Sequence, residues 1–395
     1  MAKIIPPKYV RQVLVTLQGR GYPAFLVGGC VRDMVLGVQP HDWDICTAAL
    51  PEQILELFPG SRLTGGEQGT VTVRVNSHFV EVTPFRAESR YSDHRHPDMV
   101  QFVADLTADL SRRDFTINAM ALSPDGIVSD PFGGAADLRR GVIRCVGEPE
   151  RRFEEDALRM LRALRFSARL GFAIDLFTME AIREKAPLCA CLAAERVRDE
   201  LEKILMSPAP ETALEAVELG LLDSYLLRRL PGTVPERLSA LPRREQERWT
   251  GFVWLLAHSG CIDSAEGFLR SLRLDGRTVH LCTQAAALLS EPLPEDAVGW
   301  KRCLRRCGIE ASLCAARCAD GFWHGGHAKA LKAVLKSGEC FSLRQLAVTG
   351  GDLTALGLRG RAVGEMLDFL LGYVIDYPEN NRRELLLSLA AGTEE

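Results

Sequence analysis

Ala24-Phe25-Leu26-Val27-Gly28-Gly29-Cys30-Val31-Arg32-Asp33 and, a little further on, Asp42-Trp43-Asp44-Ile45-Cys46 are the stretches on which the fold turns. Residues 24–27 read as a short apolar strand running into a glycine turn. Cys30 to Leu36 reads as a short helix stopped by Gly37. That arrangement places backbone N–H groups and Arg32 where they can cradle a triphosphate, although a tight strand-to-helix turn would need the same glycines. Trp43 to Cys46 reads as the next strand. Alternate strand residues share a face, so the carboxylates of Asp42 and Asp44 can converge while Trp43 enters the packing. Two close carboxylates repel unless a cation lies between them. Oxygen donors without neighbouring Cys or His favour Mg²⁺ over zinc. A lone D-x-D is also a common solvated turn, so the pair draws its weight from its surroundings.

Those surroundings are mixed α/β. Thr47 reads as the N-cap of a helix that opens at Pro51-Glu52 and runs through Phe58. Thr70 to Val75 and Phe79 to Phe85 carry β-branched and apolar residues around the turn Asn76-Ser77-His78, which predicts a hairpin. Glu81 interrupts the second of these strands, either on a solvated face or as a third metal ligand. Pro84 removes a ladder donor and predicts a strand end or an edge. A further strand pair is expected at Val100 to Val103 and Ile117 to Leu122, and Asp130-Pro131-Phe132-Gly133-Gly134 reads as the closing loop. From Glu150 onward helical periodicity takes over: Phe153 to Leu170, Phe177 to Lys185, Glu195 to Met206, Glu211 to Leu219 and more to Leu389, with no repeat at a fixed period. The expected class is α+β. An α/β head over residues 1–145 is expected, followed by an all-helical remainder divided as 146–206, 207–295 and 296–395.

Composition agrees with a globular protein and little more. The 395 residues are 47% hydrophobic and 25% charged with a net charge of −4, which excludes disorder, collagen and coiled coil as descriptions of the whole chain. No apolar run approaches the ~18 residues of a membrane span. The start, Met1-Ala2-Lys3-Ile4-Ile5-Pro6-Pro7, carries no long apolar region, so a cytoplasmic protein without a membrane partner is expected. Twelve cysteines scattered over such a length read as reduced thiols. The basic residues are mostly arginine, suited to phosphates and base edges, and a small negative total leaves room for a local basic stripe.

Taken together, Val27 to Asp33, His41 to Asp44, Ser111-Arg112-Arg113-Asp114-Phe115-Thr116-Ile117-Asn118-Ala119-Met120, Glu155-Asp156-Ala157-Leu158-Arg159-Met160-Leu161-Arg162 and Glu195-Arg196-Val197 resemble the DNA polymerase β superfamily. Within it they are most similar to the class II group of tRNA CCA-adding enzymes and bacterial poly(A) polymerases. The stretches come in the family's order and cover about half the chain. The resemblance implies that Asp42 and Asp44 bind catalytic Mg²⁺, with Glu81 as third catalytic carboxylate. It implies that Gly28, Gly29, Arg32 and Arg113 contact the incoming nucleotide, and that Asp114 lies next to the ribose. The reaction implied is in-line attack of an RNA 3′-hydroxyl on the α-phosphate of CTP or ATP with release of pyrophosphate, and tRNA is the implied partner. Such chemistry rests on positioning and electrostatics.

The segment from Arg151 to Leu170 reads as one helix. Phe153, Ala157, Leu161, Leu164 and Ala168 form its apolar stripe, and Glu155, Arg159 and Arg162 lie opposite, with Asp156 beside Arg159 and with Arg165 and Arg169 extending the row. Such a face is ordinarily a salt-bridged solvent face. Base chemistry offers a sharper use. Cytosine and adenine both show an amine donor next to a ring-nitrogen acceptor, which a carboxylate and a guanidinium match. Uracil and guanine present the opposite polarity. An Asp156–Arg159 pair would therefore select C and A without a template, and in the family this helix does so, with Arg162 and Arg165 also near the nucleotide.

Two features separate members of the family. The polar segment Arg86 to Pro97 resembles the loop that CCA-adding enzymes need for the final A and that CC-adding relatives shorten. Gly69-Thr70-Val71-Thr72-Val73 lacks the basic stretch of poly(A) polymerases. Full CCA addition is expected; a CC- or A-adding specialist, a poly(A) polymerase and a non-catalytic RNA-binding protein on the same scaffold are the alternatives. Cys303, Cys307, Cys314 and Cys318 are spaced by one helical turn within each pair and read as buried small hydrophobes rather than a zinc knuckle. Trp300, Trp323, Lys329, Lys332 and Lys336 fit a tRNA-binding tail or a core with a solvated face equally well. Monomer and homodimer both remain open.

Overall fold

The computed structural model describes residues 5–66, 69–88, 100–232 and 234–392. It divides into two compact units, residues 1–224 and 225–395. The first holds a seven-stranded sheet. Its strands are β1 (Ala24–Val27), β2 (Asp44–Thr47), β3 (Arg62–Leu63), β4 (Val71–Val75), β5 (His78–Pro84), β8 (Ala121–Leu122) and β9 (Val128–Ser129), in the order β3-β4-β5-β2-β1-β8-β9. β2 and β5 run parallel and the other neighbours antiparallel. Two further strands, β6 (Arg86–Glu88) and β7 (Val100–Phe102), form a separate antiparallel pair.

The local chemistry explains these elements. β1 and β2 sit in mid-sheet and are apolar because both faces are covered: Ala24, Leu26, Val27, Ile45 and Cys46 are buried. Asn76 takes a positive φ of 55° at the tight turn between β4 and β5. Pro84 closes β5 opposite Thr47, so its missing N–H falls at a strand end and not at an edge. Helices α1 (Lys8–Gly19), α2 (Gly29–Val35), α3 (Pro51–Leu57), α4 (Leu106–Ser111) and α5 (Gly134–Arg140) accompany the sheet. The helical remainder of this unit is α6 (Pro149–Glu155), α7 (Leu158–Leu170), α8 (Leu176–Lys185), α9 (Ala194–Leu205) and α10 (Thr212–Glu218).

Three expectations are corrected. Thr47 caps no helix: it is a buried strand residue whose hydroxyl donates to Pro23 O and accepts from the Ala49 amide, and Leu50 occupies the N-cap of α3. Residues 100–102 do not pair with 117–122. They pair with Arg86–Glu88, while Thr116–Asn118 form a 3₁₀ turn and only Ala121–Leu122 join the sheet, beside β1. The helix expected over 151–170 breaks at Asp156, which is extended (φ −146°, ψ 102°). Its carboxylate accepts the Leu158 amide at 3.1 Å, and a side chain that takes a backbone donor in this way competes with helix continuation. Much of the segment Arg86 to Pro97 lies outside the described residues.

The second unit is helical: Glu245–His258, Ala265–Ser271, Gly276–Leu289, Ala297–Trp323, His327–Ser337, Gly350–Ala355, Arg361–Asp376 and Arg383–Ala391. The 297–323 helix kinks at Gly308 (φ 77°), between the two cysteine pairs. Cys314 and Cys318 are buried, and Cys314 lies 3.3 Å from the Thr250 hydroxyl. Trp300 is core, whereas Trp323 is half exposed against Trp254.

Candidate active site

Strand register sets the acidic end. Asp44 and Glu81 are direct partners across the parallel β2–β5 ladder, so both carboxylates leave the same face of the sheet about 5 Å apart at their roots. Asp42 stands before β2 in a bend, exposed, while Trp43 between them is buried as expected. Burial, then the charge of Glu81, raises the Asp44 carboxyl above the ordinary carboxylate value; Asp42 adds to this and Arg113 opposes it. Asp44 thus feels both other acids. Among the described residues no three acidic, His or Cys side chains enclose a metal by themselves. Open carboxylates of this kind suit a hard cation whose shell is completed by water and phosphate oxygens, and the repulsion at Asp44 is what such a cation relieves.

Asp44 and Glu81 belong to the wall of a cavity of about 750 Å³ in the first unit; Asp42 does not. Gly28 and Gly29 also line it. Gly28 lies at φ 73°, ψ −135°, open only to glycine, and a Cβ there would stand 3.1 Å from Arg113 Nη1. The backbone is therefore bare where β1 enters α2. Arg32, one turn along α2, is buried; it donates to Asn118 Oδ1 at 2.9 Å and to Asp33 Oδ1 at 2.7 and 2.8 Å. Arg113 bonds to Asp109 at 3.1 Å.

Asp114 is turned inward. It accepts the Phe115 amide at 2.8 Å, Asn118 Nδ2 at 3.2 Å and Arg162 Nε at 2.9 Å. Burial alone would raise its carboxyl, but Arg162 and these hydrogen bonds outweigh it and hold the group down at about 2. Asp156 Oδ2 accepts Arg196 Nη2 at 2.9 Å. Arg159 donates to Glu155 at 2.7 Å and to the Arg112 carbonyl at 3.0 Å. The Asp156 and Arg159 side chains are therefore paired with other residues, although the Arg159 amide donates to the Asp156 carbonyl at 3.0 Å, and both residues line the cavity. Arg165 pairs with Glu200 at 2.7 Å.

The structure thus brings Gly28, Gly29, Arg32, Asp44, Glu81, Arg113, Asp114, Asp156, Arg159, Arg162 and Arg165 around one cavity and leaves Asp42 out of its lining. It adds residues that sequence reasoning passed over. Asp109 is fully buried, with Arg112 and Arg113 at the i,i+3 and i,i+4 spacing that could have betrayed it. Phe166 is another, and Asn118 lay within a motif without a role of its own. Arg196 lay in a motif without an assigned role. Nine arginines line the cavity against five acidic residues, so its contents should be polyanionic.

Residues 24–144 match the family described as the poly A polymerase head domain, and residues 171–231 match the probable RNA- and SrmB-binding site of polymerase A. A CCA-adding enzyme of a Geobacillus species is 40% identical over 86% of this chain and 85% of its own. One from Lactiplantibacillus plantarum is 36% identical over 96% and 95%. The chain belongs to the CCA-adding enzymes. Among solved structures, the Bacillus stearothermophilus CCA-adding enzyme in complex with CTP superposes with a TM-score of 0.82 at 33% identity, covering 98% of both chains. As a member of that family the chain is a nucleotidyltransferase that performs CCA addition. The α+β expectation holds across both units.

Proposed function

We propose that this chain builds or repairs the 3′-terminal CCA of tRNA from CTP and ATP, with Mg²⁺ bound at Asp42 and Asp44 and with Glu81 as the third catalytic carboxylate. The observation that carries the residue assignment is the pairing of Asp44 with Glu81 at the wall of an arginine-rich cavity. When bound, divalent cations would lower the pKa of the attacking 3′-hydroxyl and neutralise the leaving pyrophosphate. The chain's own residues do the positioning. The bare Gly28-Gly29 backbone and Arg32 hold phosphates at the start of α2. Arg113 reaches toward Asp44 from the Asp109 anchor. The Arg162–Asp114 pair fixes the side of the cavity where the ribose lies.

Base choice falls to Asp156 and Arg159. The Asp156 carboxylate can accept from the exocyclic amine of C or A, and Arg159 can donate to the neighbouring ring nitrogen. Neighbours already set the direction of each: Arg196 holds Asp156, and Glu155 holds Arg159. Residues 1–145 would act as the catalytic head, 146–206 as the base-selecting neck, and 207–295 and 296–395 as body and tail against the tRNA, recognised by shape and phosphate contacts. Twelve free cysteines support a cytoplasmic setting, and among the described residues no helix is long and apolar enough to cross a membrane.

The test is incubation with Mg²⁺, tRNA lacking its CCA end, and CTP and ATP singly and together. CTP alone should add two residues and the mixture three. Absence of CTP incorporation would overturn the proposal, and long A tracts on unrelated RNA would indicate a poly(A) polymerase.

A further inference from the structure

Three arginines of the cavity converge on one aromatic ring. The guanidinium carbons of Arg165, Arg32 and Arg162 lie 4.4, 5.5 and 5.7 Å from the centroid of Phe166. Phe166 is buried, lines the cavity, and is held edge-on by Phe115 (5.7 Å, 80°). The three cations come from two elements far apart in sequence, α2 and α7, and would repel one another wherever they gathered. Each is tied on one side to its own carboxylate: Arg32 to Asp33, Arg162 to Asp114 and Arg165 to Glu200. The negative face of the ring supplies an attraction shared by all three, and it acts without using any N–H donor. The N–H groups not already given to Asp33, Asn118, Asp114 and Glu200 remain for oxygen ligands.

We propose that Phe166 is a positioning residue for the triphosphate: its ring gathers Arg32, Arg162 and Arg165 into one polyphosphate-binding face. This rests on the nucleotidyltransferase assignment above and extends it to a residue that carries no charge and no hydrogen bond. Base choice lies elsewhere in the cavity, at Asp156 and Arg159. The ring should therefore matter equally for CTP, for ATP and for pyrophosphate, which has no base at all.

The experiment compares Phe166→Leu and Phe166→Met, which stay apolar but lose the π face, with Phe166→Tyr, which keeps it. KM and kcat for CTP and ATP are measured on truncated tRNA, pyrophosphate affinity by calorimetry with Mg²⁺, and Tm on each variant. Leu and Met should raise KM for both nucleotides about tenfold, with kcat falling by less than about threefold, and should weaken pyrophosphate by the same factor. Tyr should restore near-original values. A role confined to packing would lower Tm while leaving pyrophosphate affinity where it was. That result overturns the proposal, as would weakened CTP with unchanged pyrophosphate, or a Tyr variant as impaired as Leu. If the original chain incorporated no CTP, the enzymatic assignment would fail, and pyrophosphate binding would still decide the role of the ring.

Discussion

Asp44 and Asp114 face the same cavity, and their surroundings drive them in opposite directions. Asp44 leaves a strand beside Glu81, with Asp42 near, and burial plus these like charges raise its carboxyl. Asp114 sits where a turn meets α7, wrapped by Arg162, Asn118 and the Phe115 amide, and stays ionised down to about 2. One carboxylate is left wanting a cation; the other already has one in protein form. The difference lies in the partner that tertiary structure supplies, since both are aspartates with substantial burial. It separates groups that await a ligand from groups that hold the frame.

Breaking the first member of that contrast should cost most. Asp44→Asn should lower nucleotide incorporation by at least roughly a thousandfold while tRNA binding, followed by filter retention, changes little. With no cation present its Tm should equal or exceed that of the original chain, because a repelled charge is gone; a clear fall in Tm would contradict the picture. Asp156→Ala should come next, raising UTP use relative to CTP by about ten- to a hundredfold in single-nucleotide assays, since it removes a penalty of ~1–3 kcal/mol for a mispaired buried group. Arg196→Ala should show the same change more weakly, because it loosens Asp156 without removing it.

Asp114→Asn attacks the framing member. Loss of its pair with Arg162 should destabilise the first unit by about 2 kcal/mol, a Tm drop of a few degrees. The sign with pH follows from the direction of the shift. A carboxyl held at about 2 in the folded chain, against ~4 unfolded, stabilises fully above pH ~4 and loses that contribution as pH falls toward 2. The variant should lack that part of the acid limb in thermal melts. Smallest is the response of Asp44 to cations. Its raised carboxyl disfavours the ionised folded state at neutral and alkaline pH, so Mg²⁺ should raise Tm by a few degrees at pH 8. An equal rise in Asp44→Asn would detach the metal from Asp44.

Much of the site could be read from residue order because its chemistry is local. The glycine turn before Arg32, the Asp42-Trp43-Asp44 pattern and the hairpin carrying Glu81 each need only a few neighbouring residues. What escaped depended on distant partners. Thr47 looked like a cap, but its hydroxyl is taken by Pro23 across the β1–β2 pair. The helix wheel over 151–170 put Asp156 and Arg159 together, but Asp156 interrupts the helix and its carboxylate is held by Arg196, forty residues on. Phe166 drew no reading at all, because only the approach of α2 and α7 places three guanidinium groups on it.

Residue order alone pointed to most of the residues that gather round the cavity and to the family the chain belongs to, because spacing along a strand or turn is set by backbone geometry that does not wait for the rest of the chain. Folding in three dimensions decided which acids would be neutralised by arginines and which left to repel. Pairing energies depend on distance and burial, and those exist only once Asp114 meets Arg162 forty-eight residues away and Asp44 meets Glu81 across the sheet.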